Sequence, residues 1–514
     1  MPTGDAHTIS SASDAEESPI SVAWMPLRRR LEQAGVFEGM TVGAEAPPPD
    51  ALVVEHLADD SRDMRGGGTF VAVRGTEADG HSFIDNAIEN GARLVVCEDV
   101  PEAARERFPG AAFATVSDSR VALAEMAAAL YGDPADALRL VGVTGTNGKT
   151  TVAFLVHHLL ETVGETTGLL STVEVRMGAE TTKTDLTTPG PIELHRTLRR
   201  MVENDCTACA MEVSSHALDQ ERVHGLDFEV AVYTNLTTDH LDYHGTLRAY
   251  QEAKKKLFDG LSAGATALYN ADDDAGEQMV ADTDAETVSF ALDAAADIRA
   301  EIRGSRIEGL RLAIDGHEES FRLAGRFNAY NLAAAYGAGW ALEYHTEPVL
   351  DALADAPPVP GRFEQLAFED GPTVVVDYAH TPDALETVLR ALRDAVPADA
   401  TLWCVFGCGG DRDASKRDTM GRIAEQGADR VIVTSDNPRT ENPEAIIDDI
   451  RRGVSRPEEM DWMVDREAAI RAAAKGAGPD DVVLIAGKGH ETYQTVGTDK
   501  QPFDDRKIAR KYFS

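Results

Sequence analysis

The sequence predicts an α/β protein of three domains: a small α/β domain over 21–137, a central P-loop ATPase-like domain with a parallel sheet over 138–358, and a C-terminal Rossmann-like domain over 359–514. Three observations predict this. The chain has 514 residues, room for about three domains of roughly 150 residues each. A strand, a Gly/Thr-rich loop and a helix follow one another across 138–160. Beyond residue 359, short apolar runs alternate with helical patterns, as in a doubly wound sheet.

Residues 1–20 are acidic and Ser-rich and lack the apolar stretch of a secretory signal, so a disordered acidic tail is expected there. In 21–137, Phe70–Val73 and Leu94–Cys97 read as strands and Ser82–Asn90 as a helix. The Ala-rich Val121–Tyr131 is a second helix, broken by Asp133-Pro134. In 138–358, Leu138, Leu140, Val141 and Val143 mark a buried strand. Val152, Leu155, Val156, Leu159 and Leu160 then fall on one helical face. Ala208–Val213 and Phe228–Tyr233 are further strands, and Asp351–Pro360 reads as a linker. In 359–514 the strands are Thr373–Val376, Leu402–Phe406, Val431–Thr434 and Val482–Ile485, with a helix over Pro382–Ala395. There is no internal repeat.

The formal net charge is −39, from 88 acidic and 49 basic residues. Such a field repels nucleic acid and anionic membranes, so neither is an expected partner. Only eleven of the bases are lysine. The profile points to a high-salt cytoplasm, where screening weakens self-repulsion. It also makes each remaining lysine informative: Lys149, Lys254, Lys416 and Lys488 all sit inside motifs. Five sparse cysteines fit a reducing compartment. Cys206-x-x-Cys209 is either half a metal motif or small residues entering a strand; no second pair has suitable spacing, which favours the latter. No apolar run reaches the roughly 18 residues that span a membrane.

Four segments carry chemistry. Thr144-Gly145-Thr146-Asn147-Gly148-Lys149-Thr150-Thr151 links the strand to the helix at 138–160. Its N–H groups and the helix N-terminus form a cradle for polyphosphate, with Lys149 for the terminal phosphates and Thr150 for Mg²⁺. Glu212, in Met211–His216, stands at the carboxyl end of a strand, where ligands bind in such sheets and where a Mg²⁺ carboxylate belongs. Thr234–His244 is dense in Asp and His; it is either a second metal or phosphate contact or a set of surface pairs. Lys254-Lys255-Lys256 gathers three lysines in a chain that avoids them.

The loop has only three residues between Gly145 and Lys149, and this shortened form resembles that of the Mur ligases, ATP-dependent amide-forming enzymes. The likeness extends along the chain. It includes Thr187-Thr188-Pro189-Gly190, Gly325–Asn331, Gly361-Arg362-Phe363-Glu364 and Asp377–Pro382. In the third domain it includes Gly407–Asp413, Asp436-Asn437-Pro438-Arg439 and Gly487-Lys488-Gly489-His490-Glu491. Asp60-Ser61-Arg62 and Gly75–Gly80 resemble the UDP-binding region less tightly. Residue 76 is Thr where many relatives differ.

The resemblance implies a cytoplasmic, monomeric ligase of peptidoglycan precursor synthesis, adding the third stem residue to UDP-MurNAc-L-Ala-D-Glu. It implies that Thr144, Gly145, Thr146, Asn147, Gly148, Lys149 and Thr150 hold ATP phosphates. Asn328 and Asn331 lie by the adenine, and Arg362 and Asp377 reach ATP from the third domain. Two Mg²⁺ ions follow, one on Thr150 and Glu212, the other on His240 and Lys254, the lysine carbamoylated by CO₂. Lys149, Glu212, His240 and Lys254 form the catalytic set. Ser61, Thr187, Thr188, Ser214, Gln220 and Arg222 bind the UDP-muramoyl-dipeptide. Arg412, Asp436, Asn437, Pro438, Arg439, Gly487 and Glu491 bind the incoming amino acid, taken as meso-diaminopimelate because Arg439 and Arg412 suit its distal carboxylate. Arg439 could instead pair with Glu441 at the surface. The implied chemistry is phosphorylation of the D-Glu carboxylate by ATP, then attack by the amine. The alternatives are an L-Lys-adding enzyme, another amide ligase such as a folylpolyglutamate synthetase, or a nucleotide switch. An N-K-x-D guanine motif, which would favour the switch, is missing.

The melting temperature is expected to climb with KCl up to molar levels, since the Debye length shrinks from about 30 Å at 0.01 M to about 3 Å at 1 M. A melting curve that stays flat or falls with KCl contradicts a halophilic adaptation.

Overall fold

The computed structural model describes residues 21–514, apart from residues 77, 185, 370 and 398–399 and the side chain of residue 105. The expected acidic tail over 1–20 lies outside the described residues, as does Glu77 of the Gly75–Gly80 segment. Contacts divide the chain into two compact units. One holds the described residues up to Pro134 together with Gly190–Arg199; the other holds Ala135–Pro189 with Arg200–Ser514.

In the first unit a five-stranded sheet runs in the order Phe37–Val42, Ala112–Val116, Leu94–Cys97, Thr69–Val71, Leu57–Ala58, parallel except for its first strand. The helices Trp24–Gln33 and Ser119–Leu130 bury Trp24, Leu27, Leu31, Leu123, Met126 and Leu130 in its core. Gly190–Arg199 joins this unit although the sequence placed it in the central domain. Ile192 packs against that core, and Arg196 Nε donates to Tyr131 Oη at 3.1 Å.

The second unit contains two large sheets. The first has eleven strands. Its parallel centre runs Thr167–Leu170, Ala208–Glu212, Arg139–Thr144, Phe228–Tyr233, Thr266–Asn270, Glu286–Ala291, Ile298–Arg306, with antiparallel strands at both edges. The helices Lys149–Thr162 and Arg326–Ala341 pack together on one face through Val152, Leu155, Leu159, Leu332 and Ala335. The antiparallel strands Gly309–Ile314 and His317–Phe321 are interrupted by Arg311 and by the adjacent Glu318 and Glu319, so neither reads as a long apolar run. The expected linker over 351–360 begins inside the helix Thr346–Asp355, because Val349, Ala352 and Leu353 fall on one buried helical face.

The second sheet runs Glu364–Leu366, Thr373–Asp377, Val482–Ala486, Leu402–Phe406, Arg430–Thr434, Asp461–Met463, parallel apart from its first strand. Its four inner strands read as nearly continuous apolar runs because helices cover both faces. Val375, Cys404 and Leu484 face the helices Pro382–Ala395 and Arg417–Gly427. Val374, Val405 and Val483 face Arg466–Gly476 and Asp505–Phe513.

A fully buried ion pair organises this sheet's carboxyl edge. Arg466 Nη2 and Asp505 Oδ2 lie 2.8 Å apart with both side chains inaccessible. Arg466 also donates to the carbonyls of Ser435 (3.3 Å) and Ala486 (2.9 Å), the last residues before two loops taken up below. Arg466→Ala leaves a buried carboxylate without its partner, and is expected to destabilise the protein by about 3–5 kcal/mol in chemical denaturation. Arg466→Met with Asp505→Leu is expected to recover most of that loss.

Candidate active site

The parallel strands of the central sheet all end on one edge, which is where open α/β sheets bind ligands. Adjacent strand ends there carry Thr172, Glu212, the loop 145–148, Thr234 with Asn235, and Asn270. They border a cavity of about 1810 Å³. Sequence alone ordered these segments along the chain; the sheet order puts them side by side.

Gly145 has φ +147° and an added Cβ would lie 1.9 Å from Thr234 Oγ1. Gly148 has φ +90° and a Cβ there would lie 2.5 Å from Asn331 Oδ1. Only glycine lets the loop turn this tightly against its neighbours. Thr234 Oγ1 donates to the Asn147 carbonyl at 2.6 Å, and Asn235 Oδ1 accepts from Asn147 N at 2.9 Å. The third domain reaches the same loop: Asn147 Nδ2 donates to Asp383 Oδ2 at 2.9 Å.

Two lysines meet at the loop. Lys149 Nζ donates to the carbonyls of Gly145 (2.9 Å) and Thr146 (2.8 Å), and Lys254 Nζ donates to the same Gly145 carbonyl at 2.7 Å. Lys254 is buried and lies 4.3 Å over the Tyr250 ring. Burial holds the Lys254 amine well below the usual lysine range, and the charge of Lys149 adds to the effect. Burial also lowers Lys149, against the pull of Glu212 and Asp239.

Glu212 is buried, and its Oε1 accepts from Thr172 N at 2.7 Å. His240 is exposed to the cavity beside His216, with ring centroids 4.7 Å apart. Desolvation pushes its imidazole down to about 4, against the pull of Asp239 and with help from His216 and both lysines. Among the described residues no three His, Cys, Asp or Glu side chains form a metal cage. This donor set fits Mg²⁺, which keeps waters and is held by one or two carboxylates plus substrate phosphate. Arg362 Nη2 donates to Thr150 Oγ1 at 3.2 Å, its guanidinium 4.4 Å above the Tyr378 ring.

Two further groups of the expected site residues are each tied together locally. Asn331 Nδ2 donates to Asn328 Oδ1 (2.9 Å) and Asn328 Nδ2 to the Ala324 carbonyl (2.7 Å). Thr188 Oγ1 donates to the Glu212 carbonyl (2.8 Å), Arg222 Nη1 to the Thr188 carbonyl (2.8 Å), and Thr172 Oγ1 to Thr187 Oγ1 (3.0 Å).

In the third domain, Asp436 is buried and its Oδ2 has no partner; it sits 2.5 Å from where a Gly487 Cβ would be. Asn437 Nδ2 donates to Glu491 Oε2 at 2.8 Å. A Cβ on Gly409 would lie 3.0 Å from Arg439 Nη1 and 3.9 Å from Arg412 Cγ, so the two arginines flank this glycine. Arg439 does not pair with Glu441. Glu441 is held by Arg417 Nη2 at 2.8 Å, and Arg439 Nη1 donates to the Gly410 carbonyl at 2.7 Å.

Most of the expected site residues line this one cavity: Thr146–Thr150, Thr187, Thr188, Glu212, Ser214, Arg222, His240, Lys254, Asn328, Asn331, Arg362, Asp377, Arg412, Asp436, Asn437, Arg439, Gly487 and Glu491. Thr144, Gly145, Gln220 and Pro438 do not line it. Gln220 Oε1 instead accepts from Arg222 Nη2 at 2.7 Å. Ser61 belongs to the first unit, in the 3₁₀ turn Ser61–Asp63, its carbonyl accepting from Asn90 Nδ2 at 2.8 Å. Both Asp377 oxygens accept backbone N–H groups, from Phe363 and Ala379, each at 2.7 Å. Thr172 and Asp383 were missed in the sequence. Thr172 follows an apolar strand, a signal that was available; Asp383 opens a helix after Thr381-Pro382 and carries no local signal for its loop contact.

Comparison with known proteins identifies the family. Residues 143–339 match the Mur ligase middle domain, 361–489 the Mur ligase glutamate ligase domain, and 54–131 the catalytic domain of the Mur ligase family. The chain is 46% identical over 467 residues to the UDP-N-acetylmuramoyl-L-alanyl-D-glutamate--2,6-diaminopimelate ligase of Parabacteroides distasonis, covering 90% of this chain and 96% of the relative. It is 45% identical to the enzyme of the same name from Phocaeicola vulgatus, covering 93% and 99%. A solved structure of a ligase with that name superposes with a TM-score of 0.65 at 33% identity, covering 91% of this chain and 96% of that one.

Proposed function

The chain belongs to the Mur ligase family, and from that premise we propose that it joins meso-diaminopimelate to UDP-MurNAc-L-Ala-D-Glu, converting ATP to ADP and phosphate. One observation carries this function: a single cavity holds the phosphate loop with Glu212 and Lys254 and also Arg412 and Arg439 around Gly409. The names of the most similar relatives support the same substrates.

The chemical obstacle is charge, because a carboxylate has to approach a triphosphate. Lys149, the loop N–H groups and Arg362 supply positive charge and donors along the path. Thr150 and Glu212 would hold one Mg²⁺, and His240 with carbamoylated Lys254 a second; bound Mg²⁺ neutralises phosphate charge and aligns the in-line attack. A D-Glu carboxylate oxygen attacks the γ-phosphorus and ADP leaves, giving an acyl phosphate. The amine of the third amino acid then attacks the acyl carbon. Phosphate departs with the C–O bonding electrons, and the amine loses a proton. Asn147–Asp383 ties the phosphate loop to the third domain. Such ties suit closure that keeps water from the acyl phosphate.

Carbamoylation of Lys254 is supported by burial and by the neighbouring Lys149 amine, which favour the unprotonated form that attacks CO₂. The carbamate turns a cation into an anionic ligand. The acidic, lysine-poor composition supports a high-salt cytoplasmic setting. No described helix is long and apolar enough to cross a membrane.

Lys254→Ala is expected to fold but to lose nearly all ligation, and intact-mass measurement of the wild type in bicarbonate is expected to find the carbamate. Wild-type rates in this variant, with Lys255 and Lys256 intact, defeat the metal-ligand role.

Diaminopimelate differs from lysine by a distal carboxylate, which a planar, always-charged guanidinium meets with two aligned donors. The wild type is therefore expected to prefer meso-diaminopimelate strongly over L-Lys in a ligation assay with UDP-MurNAc-L-Ala-D-Glu. Arg439→Ala is expected to raise the diaminopimelate KM more than tenfold, since truncating one partner of a buried charge pair costs about 2–5 kcal/mol. Equal efficiency with L-Lys overturns the role of Arg439.

A further inference from the structure

Two loops of the third domain cross where each carries a glycine. A Cβ on Gly361 would lie 2.0 Å from His490 N, and one on Gly489 would lie 2.6 Å from the Gly361 carbonyl oxygen. Only glycine admits so close an approach. The crossing sets the next residue of each loop, Arg362 and His490, side by side: Arg362 Nη1 lies 3.3 Å from His490 Nδ1. The His490 carbonyl accepts from Arg506 Nη2 at 3.2 Å, and Arg506 Nε donates to Asp504 Oδ1 at 3.0 Å, so the histidine's backbone is pinned as well. No role above uses His490.

Donor chemistry fixes the direction of the contact. A guanidinium only donates. His490 Nδ1 therefore accepts, which requires a neutral ring with its hydrogen on Nε2. Desolvation pushes this imidazole down to about 3, with help from the charges of Arg362, Arg506 and Lys488 and against the pull of the Thr172 backbone. The ring is thus a standing acceptor at neutral pH. Arg362 is then held by Nη1 on His490, by Nη2 on Thr150 Oγ1 at 3.2 Å, and by its plane 4.4 Å from the centre of the Tyr378 ring. A long, flexible side chain fixed before its ligand arrives loses less freedom on binding. Arg362 and Tyr378 line the cavity, and His490 does not.

We propose that His490 is a positioning residue for phosphoryl transfer: through Nδ1 it holds the Arg362 guanidinium against the phosphate loop, without touching a substrate. The inference rests on the reading that Arg362 serves ATP in this ligase.

The test is steady-state ligation by the full-length protein with UDP-MurNAc-L-Ala-D-Glu, varying ATP and meso-diaminopimelate in turn, with folding checked by thermal melting. His490→Leu removes the acceptor. His490→Asn puts an amide oxygen near the Nδ1 position, whereas the amide of His490→Gln reaches the Nε2 position. The expected result is a fall of about tenfold or more in kcat/KM for ATP in His490→Leu and His490→Gln, because hydrogen bonds to charged groups are the stronger kind. His490→Asn is expected to keep most of the wild-type value. The KM for diaminopimelate is expected to stay unchanged, whereas general damage to this loop would raise it, since Gly487 and Glu491 of the same loop line the cavity. Adding His490→Leu to Arg362→Ala is expected to cause no further loss, because residues acting through one contact are not additive. An unchanged kcat/KM for ATP in folded His490→Leu overturns the proposal, as does a full additional loss in the Arg362→Ala background. If His490→Leu does not fold, equal behaviour of His490→Asn and His490→Gln overturns it. If Arg362→Ala lowers kcat/KM for ATP in any of these cases, the reading of Arg362 stands and only the role of His490 falls. If Arg362→Ala matches the wild type, or the wild type forms no product, that reading fails and takes this proposal with it.

Discussion

Two amines share one carbonyl oxygen: Lys149 and Lys254 both donate to Gly145. Bringing two ammoniums together in a desolvated loop is unfavourable unless something anionic compensates. The fold tolerates the arrangement because Gly145 and Gly148 free the loop carbonyls to face them, and because Thr234 and Asn235 hold the loop in place. Glu212 and Asp239 pull against this, yet burial keeps both amines below the usual lysine range, inside a chain of net charge −39. Under the proposed function, triphosphate is one remedy and a carbamate on Lys254 is another. The chemistry proposed for the cavity thus grows from the same electrostatic constraint that shapes the loop.

The third domain solves a different problem. Under the proposed function its pocket recognises an amino acid whose two ends look alike, which favours donors and acceptors fixed before the ligand arrives. Buried charges do the fixing. Arg466 braces the carbonyls of Ser435 and Ala486, directly before Asp436 and Gly487. Arg417 holds Glu441 and the Gly409 carbonyl, which leaves Arg439 free of Glu441. Lys488 sets Asn437 and Glu491. In each case a cation inside the domain positions a group at its edge. Asp436 Oδ2 is left without a hydrogen-bond partner at that edge.

The sequence by itself determined the fold class and the chemistry-bearing segments. Apolar runs such as Leu402–Phe406 and Val482–Ile485 were legible because strands covered on both faces lose their polar alternation. The phosphate loop was legible because close phosphate approach demands Gly and Lys at fixed places. The tertiary structure decided what local pattern does not encode. It placed Gly190–Arg199 with the first unit and drew the helix Thr346–Asp355 into the expected linker, since burial depends on neighbours distant in sequence. It chose Arg417 over Arg439 as the partner of Glu441, because only the folded chain brings residues 24 apart in sequence to 2.8 Å. It put Lys254 on the Gly145 carbonyl across 109 residues, and that distance is why its depressed basicity was invisible in a run of three lysines.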